Sequence, residues 1–161
     1  MLGELQALSR LCTRSAPPPT TVDIDEGCRV VERVLGASDV YVIRAADPSF
    51  QRVGCPCPPT DYEIKQKGYW LVWKRLASEP AACACLFDVE DRLVTEEREA
   101  GPGVPATHLA MILPYNESNL DLLIARGPWP EGLTVEQFQF LESARPILAL
   151  LLGNVLDADR R

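Results

Sequence analysis

The sequence predicts an α/β domain of the α+β type, in which helices pack on one face of a central twisted antiparallel sheet. Three observations lead to this prediction. Two apolar strand sequences flank a polar turn between residues 109 and 125, a pattern typical of a β-hairpin. Apolar residues recur with helical spacing before and after the predicted strands. The last helix is apolar on two sides and must therefore be covered on both.

The first predicted helix is short and amphipathic. Its apolar positions recur every three or four residues: Leu2, Leu5, Leu8, Leu11 and Cys12. Prolines at positions 17–19 end it, because proline lacks a backbone donor and disfavours helix in the residue before it. We therefore divide the chain into an N-terminal amphipathic helix with a proline-rich linker, residues 1–20, and a domain at residues 21–157.

The second helix and a first hairpin follow the linker. Asp23 is predicted as the N-cap, with Glu26 completing a capping box, and Gly36 as the left-handed C-terminal stop. The predicted buried stripe of this helix is Ile24, Cys28, Val31 and Leu35. Residues 40–43 are β-branched or aromatic and predict a strand, with residues 50–53 as its hairpin partner.

The middle of the chain predicts a helix, a strand and a loop. Thr60 and Glu63 form a second capping box, which predicts a helix continuing to Leu76. Residues 82–87 predict a short strand. Residues 88–105 are acidic and rich in glycine and proline, so we expect them to form the most mobile loop.

The final segment is a strand hairpin followed by a long helix. Residues 109–115 and 120–125 predict the strands, and Thr134 with Gln137 predicts a capped helix start. Pro146 is expected to kink this helix. The predicted stripes are Phe138, Leu141, Leu148, Leu152 and Val155 on one side, and Phe140, Ile147, Leu150 and Leu151 on another. One side can pack on the sheet, and the other needs a helix from this chain or from a partner subunit.

Composition excludes several classes of protein. The 161 residues are 47% apolar and carry a net charge of −7, which excludes wholesale disorder and argues against nucleic-acid binding. No apolar run reaches the roughly 20 residues needed to span a bilayer, and no signal peptide is recognisable. We therefore expect a cytoplasmic protein without a membrane partner, whose six cysteines are reduced thiols.

Three segments carry a resemblance to a known family. They are residues 34–43 (VLGASDVYVI), residues 77–88 (ASEPAACACLFD), and the strand at 109–114 with the helix at 133–152. In this order they resemble a GAF domain, the small-molecule sensor module of signalling proteins, over roughly residues 21–157. The resemblance implies a GAF/PAS-like fold and a role in signal transduction. It also implies a homodimer formed through the terminal helices, and an output domain in a longer chain of which this sequence is a fragment.

For such a sensor domain, ligand binding is predicted at one set of aromatic and imidazole side chains: Tyr41, Trp70, Trp73, Phe87 and His108. Aromatic surfaces line most small-molecule sites, although core packing is the favoured role for Trp70 and Trp73. His108 has an alternative as well, that of a hydrogen-bonded histidine at the end of a strand. The sequence names neither the ligand nor a cofactor.

The cysteines offer a second function. Cys55-x-Cys57 and Cys83-x-Cys85 could bind zinc or act in thiol redox chemistry, as in a GAF-like reductase or redox switch. Structural zinc sites usually place two to four residues between paired cysteines, so small buried side chains are the favoured interpretation. No catalytic motif is recognisable, and we expect neither an enzyme nor a metal site. A purely structural dimerisation domain without a ligand is a further alternative.

Overall fold

A computed structural model describes residues 2–13, 19–43, 52–53, 85–87, 102–116 and 119–159. These residues form three helices and five strands. The helices are α1 (Leu2–Thr13), α2 (Thr21–Leu35) and α3 (Val135–Asp159). The strands are β1 (Asp39–Ile43), β2 (Arg52–Val53), β3 (Cys85–Phe87), β4 (Ala106–Asn116) and β5 (Asn119–Trp129).

The strands form one antiparallel sheet in the order β2-β1-β5-β4-β3. The predicted hairpin of residues 109–125 is confirmed, with Asn116 opposite Asn119 at its closed end. Both strands are longer than predicted, since β5 continues to Trp129, the register partner of Ala106. Gly127 and Pro128 disfavour a strand, and the ladder accommodates them through a register shift between the pairs Ala106–Trp129 and His108–Arg126. The predicted partner of β1 is confirmed at Arg52 and Val53.

Strand side chains alternate between two buried faces of the sheet. On one face they pack into a core shared with the helices: Val40, Val42, Leu109, Met111, Leu113, Leu123 and Ala125. The residues between them are buried outside that core: Tyr41, His108, Ala110, Ile112, Leu122 and Ile124. We call this second set the second face. The predicted α+β class with an antiparallel sheet is confirmed at this level, and the described helices lie on one side of that sheet.

The helices form a layer in which α3 is central. It contacts β4 on one side and α1 and α2 on the other, so this chain itself supplies the helices that the second stripe required. Gly27 of α2 lies at the junction of the three helices. A Cβ there would stand 3.2 Å from Leu148, 3.5 Å from Leu151 and 3.6 Å from Leu8. Leu150 departs from the predicted stripe, because 56% of its surface is exposed.

The predicted N-terminal amphipathic helix is α1, and it packs into the same core as the other two helices. Leu8 is fully buried, and Leu5, Leu11 and Cys12 pack partly buried against the core. Leu2, which the spacing placed on the same stripe, is 71% exposed. The helix therefore uses its apolar face within this chain.

The start of α2 was predicted one turn too late. Asp23 is not the N-cap; Thr20 is, with extended backbone angles, and the helix begins at Thr21. The Asp23 carboxylate accepts a hydrogen bond from the Thr20 backbone N–H at 2.7 Å, which satisfies a donor that the helix itself leaves free. The predicted stop is confirmed, because Gly36 adopts the left-handed conformation with φ 63° and ψ 33°.

The predicted cap of α3 is confirmed in both halves. The Gln137 backbone N–H donates to Thr134 Oγ1 at 3.2 Å, and the Thr134 N–H donates to Gln137 Oε1 at 2.8 Å. Among the described helices, none combines the length and the apolar composition that crossing a membrane would require. The predicted helix of residues 60–76 and the predicted loop up to residue 101 lie outside the described residues.

Candidate functional site

Two of the predicted ligand residues, Tyr41 and His108, lie on the second face, on strands that β5 separates. Tyr41 on β1 is the register partner of Ile124, and only 7% of its surface is exposed. His108 on β4 is 8% exposed, and its register partner on β3 is Phe87. Trp70 and Trp73 lie outside the described residues. Tyr41 and His108 are thus brought to one face of the sheet, with Phe87 adjacent in the ladder.

A row of register partners crosses four strands at one end of this face. It runs from Phe87 through His108 and Arg126 to Asp39. Directly opposed residues in an antiparallel pair project to the same face with Cβ atoms about 5 Å apart. His108 and Arg126 are therefore side-by-side neighbours. The row places an imidazole and a guanidinium at the end of an otherwise apolar surface.

Arg126 is a site residue that the sequence analysis missed. The alternation Leu122, Ile124, Arg126 along β5 was the signal that could have found it, because period-two spacing puts all three on one face. The predicted strand ended at residue 125, since Gly127 and Pro128 disfavour a ladder. Extending the strand by one residue would have placed Arg126 beside the second face.

The apolar floor of the site lies next to this row. Ala110 and Ile124 are register partners in the adjacent row, and both are completely buried. The Thr107 hydroxyl lies 3.1 Å from Nδ1 of His108, within hydrogen-bonding distance, which orients the ring. Ala110, Ile124 and His108 are thus covered by other residues, whereas Arg126 at the end of the row is half-buried and carries a positive charge that water can reach.

The charge of Asp39, at the far end of the row, is engaged by α2. Its Oδ1 lies 3.8 Å from Nη2 of Arg29, which also lies 3.8 Å from Asp25 Oδ1. Arg29 also forms an ion pair with Glu32 and donates from Nη2 to the Val40 carbonyl at 2.7 Å. This arginine therefore ties α2 to the start of β1 and draws the Asp39 carboxylate towards the helix.

The backbone at Arg126 is fixed by a corner between α2 and β5. The Ser38 N–H donates to the Arg126 carbonyl at 2.9 Å, and the Ser38 hydroxyl donates to the Gly127 carbonyl at 2.9 Å. The indole Nε1–H of Trp129 donates to the Leu35 carbonyl at 2.8 Å. A Cβ at Gly127 would stand 2.7 Å from the Trp129 nitrogen, so only glycine fits this close approach.

The cysteines with described side chains are Cys12 and Cys28, and neither forms a disulfide. Cys12 donates to the Ile147 carbonyl at 3.2 Å, and burial raises the pKa of its thiol, which disfavours the thiolate. In the described ranges no three histidine, cysteine or acidic side chains group as metal ligands. Cys85 is the register partner of Ala110. The zinc or redox pairs also need Cys55, Cys57 and Cys83, which lie outside the described residues.

No protein-family model matches the chain, and no curated protein is significantly similar to it. These comparisons supply no ligand, partner or reaction. The second face of the sheet and the helix layer behind it are the features on which a functional proposal can be built.

Proposed function

We propose that this chain is a regulatory sensor domain of the GAF type, which binds a small molecule on the second face and relays binding through its terminal helices. One observation carries the proposal. The described helices lie on one side of the sheet, while on the other side Tyr41, His108 and the apolar residues between them form a second buried layer with the half-buried Arg126 at its end. Small-molecule sites combine such apolar surfaces with a few positioned polar groups.

The order of the elements supports the family. The segment at residues 34–43 runs from the end of α2 through Gly36 into β1, as its resemblance to a GAF domain requires. The segment at 109–114 lies in β4, and the segment at 133–152 carries the cap and most of α3. These are the places that a helix, a strand hairpin and a closing helix hold in the resemblance.

A physical route joins the second face to the terminal helices. Ile112 belongs to the second face through its side chain, and its carbonyl accepts a hydrogen bond from Nε of Arg145 on α3 at 2.8 Å. Cys12 and Leu8 connect α1 to the same helix layer. A ligand that favours one position of β4 over another would therefore shift α3 by its differential affinity for the two states.

In this proposal the movement of α3 is passed on through a homodimer to a further domain. The exposed side of α3, which includes Leu150, is free for a second copy within the described residues. An output domain in a longer chain would follow α3. A structural dimerisation domain without a ligand is the competing function, and the first experiment separates the two.

The test is native mass spectrometry of the purified protein before and after incubation with the low-molecular-weight fraction of a cell extract. We expect a dimer that carries a small-molecule adduct. His108→Leu removes the imidazole from the second face and is expected to lose the adduct. Arg10→Gln, on the exposed side of α1, is the control and is expected to keep it. A dimer that carries no adduct after incubation would favour the purely structural function.

A further inference from the structure

The first helix, α1, is buried less deeply than the helices beside it. Leu8 is the one residue of its twelve that is fully buried, whereas α2 has seven buried residues in fifteen. Leu5, Leu11 and Cys12 pack partly buried against the core. Local opening costs least where few apolar side chains are buried. Among the described helices, α1 is therefore the one expected to open most easily.

The contacts of α1 converge on a groove between α2 and α3. Gly27 lies at its floor, where an added Cβ would stand 3.6 Å from Leu8 and 3.2 Å from Leu148. Leu8 therefore fills space that the missing side chain of Gly27 provides. The Cys12 thiol donates to the Ile147 carbonyl of α3 at 3.2 Å, and a thiol is a weak donor. The docking of α1 thus depends mainly on the packing of one apolar face.

The attachments of α2 do not pass through α1. The last two carbonyls of α2 accept hydrogen bonds from the Trp129 indole of β5 at 2.8 Å and from the Gln137 amide of α3 at 3.1 Å. Arg29 of α2 donates to the Val40 carbonyl of β1 at 2.7 Å. The prolines at positions 17–19 prevent one helix from continuing into the next. These bonds remain when α1 leaves, so α2 and α3 can stay on the sheet.

An opened α1 is expected to lose its helical structure as well. Isolated helices shorter than about 12–15 residues are marginally stable in water, and α1 has 12 residues. The helix therefore forms only against the groove, and docking and helix formation occur together. This coupling gives α1 two discrete arrangements, closed and open.

We propose that α1 is a latch over the groove formed by Gly27, Leu148 and Leu151, and that it opens and closes as one unit while the rest of the domain stays folded. In the closed state α1 of the same chain fills the groove. In the open state an apolar strip of α2 and α3 reaches water, and a signal that favours either state changes the exposed surface of the domain. The inference goes beyond the proposed function, because the opening needs no ligand on the second face.

The test is native-state hydrogen exchange of the full chain, followed by mass spectrometry of its peptides. The exchange of backbone amides in α1 is compared with that of amides in β4 and β5. After correction for intrinsic rates, we expect the amides bonded within α1 to exchange at one common rate, at least about tenfold faster than those of the two strands. Low concentrations of urea are expected to accelerate the strands more steeply than α1, because global unfolding exposes more surface.

Two substitutions and a control assign the opening to α1. Leu8→Ala removes the side chain that fills the groove and is expected to accelerate the exchange of α1 about tenfold or more. Leu109→Ala, in the sheet core, destabilises the closed and open states alike. It is therefore expected to accelerate β4 and β5 and to leave α1 unchanged. Leu2→Ala, at the exposed start of α1, is expected to change neither.

Two results would overturn the latch. If α1 exchanges at the rate of β4 and β5 and follows them in urea, the helix opens only when the whole domain unfolds. If α1 exchanges at its intrinsic rate and Leu8→Ala leaves that rate unchanged, the helix is not closed in solution. The urea series needs only the wild type and replaces Leu109→Ala if that variant does not fold. Neither result bears on the ligand, which the adduct on the native protein and its loss in His108→Leu decide.

Discussion

At the scale of single residues, Trp129 joins more of the molecule than its position at the end of β5 suggests. Its indole N–H donates to the Leu35 carbonyl in the last turn of α2, and the side chain is 6% exposed. The neighbouring Val34 carbonyl accepts from Nε2 of Gln137 at 3.1 Å. Two carbonyls that the end of the helix leaves free are therefore satisfied by side chains from β5 and α3.

Trp129→Phe is expected to destabilise the protein by about 2 kcal/mol. The substitution removes the only indole donor at this corner and leaves the buried Leu35 carbonyl without that bond, which costs about 1–3 kcal/mol. The measurement is chemical denaturation of both proteins, followed by circular dichroism, and the two are compared if their m-values agree. A free energy of unfolding equal to that of the wild type would show that water replaces the indole at this carbonyl.

The sequence could identify part of the candidate site, and the missing part has a physical cause. Tyr41 and His108 were found because an aromatic ring and the one histidine stand out in a strand sequence. Arg126 was missed because its strand assignment depends on a bulge at Gly127 and Pro128, and local propensity argues against a ladder there. That no carboxylate of the described residues pairs with its guanidinium depends on tertiary packing, which no sequence pattern carries.

At the scale of the elements, α1 is the helix whose role the structure defines most sharply. Its spacing predicted an amphipathic helix, and Leu8 is fully buried against α2 and α3. Leu2 shares the spacing but is 71% exposed, at the first residue of the helix. The helix therefore provides two leucines with the same chemistry and opposite burial.

This difference predicts opposite results for one substitution. Leu8→Ala leaves a cavity in the core and is expected to cost about 2–5 kcal/mol in the free energy of unfolding. Leu2→Ala is the matched control and is expected to stay within about 0.5 kcal/mol of the wild type. Thermal and urea denaturation of both variants measure the difference. Equal stability of the two would mean that α1 detaches in solution and contributes nothing to the core.

The start of a helix could be predicted where the sequence offered one candidate N-cap residue, and it was missed where the sequence offered two. Thr134 and Gln137 gave the start of α3 correctly, since a single threonine precedes the helical pattern there. At α2, Asp23 is a good N-cap by type, but Thr20 lies three residues earlier and makes Asp23 its capping-box partner. Choosing between them needs the backbone angles of residue 20, which only tertiary structure fixes.

At the scale of the whole molecule, α3 is the central helix, since it contacts the sheet and both other helices. It packs on β4 with one side and on α1 and α2 with the other. The sequence required two covered sides but left open whether a partner subunit supplied the second cover. Since α1 and α2 fill that place, a homodimer formed through α3 must use its remaining side, on which Leu150 is 56% exposed.

Glutamate substitutions at Leu148 and Leu150 separate the core of α3 from that remaining side. Leu148 is 5% exposed and contacts the Gly27 junction, so Leu148→Glu buries an unpaired charge and is expected to cost several kcal/mol. Leu150→Glu is expected to leave the melting temperature of the monomer unchanged, because water reaches the new carboxylate. In the proposed homodimer, however, two such charges would face each other across the interface.

We therefore expect native mass spectrometry to report a folded monomer for Leu150→Glu and a dimer for the wild type, with circular dichroism confirming that the variant is folded. Pro146→Ser, on the same exposed side of α3, is a control that adds no charge. A Leu150→Glu protein that remains dimeric would place the interface away from this side of α3. A Leu148→Glu protein with unchanged stability would contradict the packing of the three helices around Gly27, and with it the proposed route from the second face to the terminal helices.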